Sequence, residues 1–229
     1  SCVVKYFVRY AEVVTRHLGS EIDILLTINE PSVYAFMSYQ IGAWPPQVRN
    51  RWKMFRVLWN MARAHKAAYK VVKQLSPALP IGVAQNMTTF EPVHPRNLIE
   101  RFAARWMAAF NNFSFYWLCG QKTHDLLGIN YYFHRRLDGT RRFWPCFQDP
   151  KETGRLTSDL GWELHPEGLG QIVRSLRSRK KPILITEHGL ADAADSRRPD
   201  FLKQSVASLA TAISEGAPVI GYLHWSLLD

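Results

Sequence analysis

Ile22-Asp23-Ile24-Leu25-Leu26-Thr27-Ile28-Asn29-Glu30-Pro31 reads as a buried strand that ends in a charge. The run from Ile22 to Asn29 is short and largely apolar, and Pro31, which has no N–H to give a sheet, stops it. Comparable runs stand at Ile81 to Gln85, Leu126 to Tyr132, Ile183 to Glu187 and Val219 to Leu223, which makes five strands. Apolar residues at three- and four-residue spacing predict helices before and between them, at Val3 to Leu18, Val48 to Leu75, Asn97 to Trp117, Pro166 to Arg179 and Pro199 to Glu215. Nearly continuous apolar strands separated by helices predict a parallel sheet covered by helices, either doubly wound or a (β/α) barrel. The position of the polar residues favours the barrel. Asn29 and Glu30, Asn86, Asn130 and Tyr132, Glu187 and Trp225 crowd the C-terminal ends of the runs, where barrels carry their chemistry. No GxGxxG or GxxxxGK[ST] follows any strand, so a nucleotide-binding doubly wound sheet lacks its phosphate cradle.

The 229 residues suffice for one sizeable domain yet fall short of the roughly 250 of a complete eight-unit barrel. With 47% hydrophobic and 13% aromatic residues the chain is too apolar to be disordered. The net charge of +10 attracts anionic surfaces at low salt but names no specific nucleic acid, since no binding motif accompanies it. Its densest basic run, Arg174, Arg177, Arg179, Lys180 and Lys181, falls at the end of a predicted helix, where cations suit the helix dipole. Cys2, Cys119 and Cys146 fit neither a metal spacing nor an even disulfide framework, so reduced thiols are expected. No run approaches the roughly 20 apolar residues of a membrane helix and no signal-like segment is seen, a pattern that favours the cytoplasm.

Glu30 and Glu187 each close an apolar strand. A carboxylate there needs partners, and that cost is commonly met at catalytic sites. Either one alone reads equally well as a salt bridge at a barrel mouth. Two carboxylates converging from different strand ends suit glycosidic bond cleavage, in which one protonates the leaving oxygen and the other attacks or activates water. A metal site is the competing use, but the histidines show no HExxH or comparable spacing, so neither metal nor cofactor is expected.

Thr27-Ile28-Asn29-Glu30-Pro31, Gly128-Ile129-Asn130-Tyr131-Tyr132, Ser158-Asp159-Leu160-Gly161-Trp162-Glu163, Ile185-Thr186-Glu187-His188-Gly189 and Gly221 to Asp229 stand in order along the whole chain. Together they resemble the retaining β-glycosidases of glycoside hydrolase family 1. The resemblance implies a (β/α)8 barrel of which residues 1–229 form a single partial domain, holding the fourth to eighth strands without the first three. It implies a β-glucosidase-like enzyme that removes terminal β-linked sugars through a glycosyl-enzyme intermediate. Glu30 matches the general acid/base and Glu187 the nucleophile. Asn29 matches the residue that binds the sugar 2-hydroxyl, Tyr132 the tyrosine that hydrogen-bonds the nucleophile, and Trp225 a sugar-contacting tryptophan whose bond to the next serine is commonly cis. Asn130 and Tyr132 lie two apart, hence on one strand face, and the reading turns both towards the mouth as substrate-binding residues beside Asn29 and Trp225.

His188 departs from the family's usual asparagine, and either alters the bonding around Glu187 or faces away. The glutamine, histidine and arginine that the family's first three strands supply have no counterpart, and the chain stops at Asp229, ahead of the family's Asn-Phe-Glu-Trp. Two exposed sheet edges then invite a complementary chain or self-association. The alternative function is an inactive barrel remnant that serves as a carbohydrate-binding or assembly module. The stretch from Phe133 to His165 is expected to be a loop over the site, with Phe143, Trp144 and Phe147 either lining the aglycone side or packing the loop down.

Overall fold

The computed structural model describes residues 2–140 and 144–226. Strands β1 (Leu25–Asn29), β2 (Ile81–Pro92), β3 (Leu127–Asp138), β5 (Ile183–His188) and β6 (Val219–Tyr222) follow one another in the sheet in that order, and the short β4 (Cys146–Phe147) pairs with β3. Helices α1 (Cys2–Leu18), α3 (Arg51–Leu75), α4 (Leu98–Cys119), α5 (Gly168–Leu176) and α6 (Arg198–Ser214) fall where the spacing predicts them. Among the described residues one α-helix was not expected. Pro31 does stop β1, but it also opens α2 (Pro31–Phe36), because a proline's fixed φ and missing N–H suit the first turn of a helix.

The chain divides into two compact units, Ser1–Asn86 with Phe113–Gly128, and Met87–Asn112 with Ile129–Asp229. In the first, α1 packs on α3, and Ala11, Ala68, Val72, Leu79 and Ile81 make a core closed by Phe7, Ile22, Leu25 and Tyr69. β1 runs parallel to β2 with Leu25 opposite Ile81 and Leu26 opposite Gly82, and an irregularity then brings Asn29 opposite Ala84. His65 of α3 is fully buried and its Nδ1 meets the hydroxyl of Thr27 at 2.7 Å, which ties the helix to the strand that leads to Glu30. Gly128 has to be glycine, since a β-carbon there would lie 2.7 Å from the Val83 carbonyl oxygen.

In the second unit β5 pairs in parallel with β6, with Ile183 opposite Val219 and Ile185 opposite Tyr222, and α5 packs against α6. Ala103, Ala104 and Leu137 form a core cluster with Phe90 and Met107. Two strands outrun the sequence reading. β2 passes the polar Asn86, Thr88 and Thr89 and ends only at Pro92, because Asn112 accepts from the Thr88 N–H at 2.9 Å and donates to the Thr88 carbonyl at 3.1 Å. β3 continues to Asp138 and turns back through β4, with Leu137 opposite Phe147, so the stretch after Phe133 begins as sheet rather than loop. All three cysteines are free thiols. Among the described residues no helix is long and apolar enough to cross a membrane. In the basic run, Arg174 pairs with Glu215 at 2.6 Å.

Candidate active site

Glu30 stands at the junction of β1 and α2 with φ 47° and ψ 51°, a left-handed conformation that a non-glycine residue adopts only when its surroundings hold it there. Its N–H donates to the Ala84 carbonyl at 2.8 Å and its carbonyl accepts from the Tyr34 N–H at 3.0 Å. Asn86 donates from Nδ2 to Glu30 Oε1 at 2.9 Å. The first unit thus fixes both the backbone and the carboxylate of Glu30. Asn29 beside it is exposed.

Glu187, on β5, is half-buried, and the phenol of Tyr132 donates to its Oε2 at 3.1 Å. Asn130 reaches the preceding residue, Thr186. It is fully buried, and its Oδ1 accepts from the Thr186 hydroxyl at 2.5 Å. The two residues that alternate on β3 therefore clasp two successive residues of β5. Trp162, in the segment ahead of α5, packs its ring on Tyr132 and Phe133 at 5.9 and 4.5 Å. That segment is pinned by Asp159, which pairs with Arg197 and accepts from the Ala193 N–H at 2.7 Å.

His188 faces away from its neighbour's carboxylate. It is fully buried, stacked between Tyr131 and Phe201 at 6.0 and 5.2 Å, and its Nδ1 meets the Tyr222 hydroxyl at 2.9 Å. Burial pushes its pKa down to about 3, so it is a neutral aromatic of the packed layer. Trp225 is 60% exposed. Its N–H donates to the His188 carbonyl at 3.0 Å, and its bond to Ser226 is cis, as the resemblance implies. Gly189 leaves room for this turn, because a β-carbon at that position would run into the Trp225 carbonyl oxygen.

Of the loop aromatics, Trp144 and Phe147 are exposed, Phe147 stacking on Phe90 at 6.3 Å, whereas Phe143 lies outside the described residues, as do Leu227, Leu228 and Asp229 of the last motif. Sequence reasoning marked Asn86 as a strand end but did not pair it with Glu30. It gave Thr186 no part, and spacing hides the grouping of Glu91, His134 and His165, which come from three separate segments.

The chain matches glycosyl hydrolase family 1 over residues 1–120 and 117–229. It belongs to that family. Among similar proteins, β-glucosidase A of Thermotoga maritima is 28% identical across 99% of this chain and 59% of its own length. A β-galactosidase of Sulfolobus acidocaldarius is 29% identical across the whole of this chain and 51% of its own. The solved structure of the T. maritima β-glucosidase in complex with deoxynojirimycin superposes with a TM-score of 0.89 at 26% identity, over 99% of this chain and 60% of that one. This family 1 chain therefore spans about half to three-fifths of the length of these relatives, and its parallel strands and covering helices are of the (β/α)8-barrel type.

Proposed function

We propose that residues 1–229 belong to a retaining β-glycosidase, form one partial barrel domain of it and carry both of its carboxylates. Glu187 attacks the anomeric carbon while Glu30 gives its proton to the glycosidic oxygen, and the aglycone leaves as an alcohol. Water then loses a proton to the Glu30 carboxylate and attacks the same carbon, which releases the sugar with its configuration retained and frees Glu187. Asn29 and Trp225 bind the sugar, Asn130 braces Thr186 beside the nucleophile, and Tyr132 aims the nucleophile.

The observation that carries this reading is the hydrogen bond from Tyr132 to Glu187, since a carboxylate held in one rotamer by a phenol is ready for in-line attack. The Asn86 bond to Glu30 supports the second role. The names of the relatives favour β-glucosides and β-galactosides as substrates.

The test uses an aryl β-glucoside and an aryl β-galactoside. Glu187→Gly should abolish turnover, and azide should restore it by filling the vacated face, giving the α-glycosyl azide. Glu30→Ala with azide should instead give the β-azide, because azide then intercepts the glycosyl-enzyme. A protein that binds deoxynojirimycin but turns over neither glycoside would be the inactive carbohydrate-binding module instead.

The same reading extends to partners. Among the described residues β1 and β6 are the two ends of the strand order, and the outer side of such a strand can take a further strand. The apolar face of α1, with Val3, Tyr6, Tyr10 and Val13 exposed, supports pairing with a complementary chain or a second copy. Light scattering after size exclusion should report a mass above 26.4 kDa, and a monodisperse monomer of that mass would remove the pairing.

A further inference from the structure

In the second unit, Glu91 near the end of β2, His134 on β3 and His165 ahead of α5 bring their ligating atoms within 4.8 Å of one another. His134 Nε2 lies 3.7 Å from Glu91 Oε2, and His165 Nε2 lies 3.7 Å from Glu91 Oε1. The two rings are 3.9 Å apart at their centroids. The His134 side chain is buried, and its Nε2 makes no hydrogen bond.

The hydrogen-bond network around His134 suits a proton on Nδ1. Tyr131 donates its one hydroxyl proton to the His165 carbonyl at 3.2 Å. Its oxygen is then the acceptor for Thr89 Oγ1 at 3.1 Å, and Thr89 Oγ1 in turn accepts from His134 Nδ1 at 2.8 Å. With the proton on Nδ1, Nε2 turns a lone pair towards the Glu91 carboxylate, whose Oε2 also accepts from Arg136 at 3.0 Å. Burying the His134 lone pair without a donor is unfavourable unless a cation meets it. A histidine whose far nitrogen is tied to a neighbour is also how proteins orient imidazole ligands.

We propose that Glu91, His134 and His165 bind one zinc ion. Two imidazoles and one carboxylate form a common zinc set, with a water completing the tetrahedron, and bonds of about 2.0 to 2.2 Å put adjacent ligand atoms roughly 3.4 Å apart, a few tenths of an ångström closer than each histidine nitrogen lies to its Glu91 oxygen. The charge around the cluster tolerates the ion. Arg136 lies 3.0 Å from Glu91 and Arg155 3.4 Å from Glu163, but Glu91, Glu163 and Glu167 together outnumber the two guanidiniums. The ion ties β2 and β3 to the segment that carries Trp162, whose ring packs on Tyr132. Zinc at this site is a clasp of the loop, and its binding does not depend on glycosidase activity.

The test is calorimetric titration of the metal-stripped full chain with zinc chloride, and with cobalt(II) as a visible-absorbing probe. One equivalent should bind, cobalt should show the intense bands of tetrahedral coordination, and zinc should raise the unfolding temperature. Glu91→Gln and His165→Ala, both at part-exposed positions, should each weaken binding about tenfold or more, and His134→Ala should abolish it. His94→Ala, in a neighbouring histidine–carboxylate cluster, should leave it unchanged. No uptake in excess zinc, or uptake that Glu91→Gln and His165→Ala leave intact, overturns the proposal.

Discussion

Tyr132 and Glu187, one on β3 and one on β5, are joined by a phenol-to-carboxylate hydrogen bond of 3.1 Å. A bond to a charged acceptor contributes about 1.5 to 3 kcal/mol. Tyr132→Phe keeps the ring that packs on Trp162 and loses only the donor. We expect kcat on an aryl β-glycoside to fall roughly 10- to 100-fold, and urea stability to fall by no more than about 3 kcal/mol. A variant as active as the parent would show that the bond does not aim the nucleophile.

Glu30 sits in a left-handed conformation that costs a residue with a β-carbon about 1 kcal/mol relative to glycine. Glu30→Gly and Glu30→Ala remove the same carboxylate, so the pair isolates the backbone. The glycine variant should be the more stable of the two by about 1 kcal/mol in urea unfolding. Equal stabilities would mean that the backbone relaxes once the Asn86 bond is gone.

His65 and His188 are buried, one in each unit, and burial holds their pKa values at about 4 and about 3, below the ordinary 6.5. The unfolded chain takes up these protons below pH 6.5, whereas the folded chain resists until pH 4 or 3. Stability should therefore fall as pH drops from about 6.5 towards 4, by up to about 1.4 kcal/mol per pH unit for each histidine. His188→Phe, which keeps a ring between Tyr131 and Phe201, should flatten the urea midpoint against pH by about one proton. An unchanged slope would place the proton uptake elsewhere.

Gly189→Ala brings a methyl group against the Trp225 carbonyl, which the His188 carbonyl holds in place through the Trp225 N–H. Overpacking of this kind costs roughly 1 to 3 kcal/mol. The loss should appear in urea unfolding, and on the proposed sugar-contacting role of Trp225 it should also raise KM. A variant with parental stability and KM would mean that the turn yields without moving the indole.

The alternation of helix and strand, and the polar residues that close each apolar run, are properties of linear spacing. A glutamate at the end of Thr27-Ile28-Asn29 or of Ile185-Thr186 stands out because charge is costly beside a packed interior. The left-handed turn that aims Glu30 is not legible there, since it depends on a carbonyl of β2 and on Tyr34. Nor are the true ends of β2 and β3, because the Asn112 side chain satisfies backbone groups of β2 where the polar residues argued for a stop.

The order of elements, the family motifs and the candidate carboxylates were thus determined by the sequence itself, through patterns of a few consecutive residues. Tertiary structure alone turned His188 into a neutral packed ring, joined Tyr132 to Glu187 and Asn130 to Thr186, and gathered Glu91, His134 and His165 from distant segments. The physical reason is that burial and hydrogen-bond partners are properties of a neighbourhood in space, and residues from separate segments set both the charge state and the direction of each group.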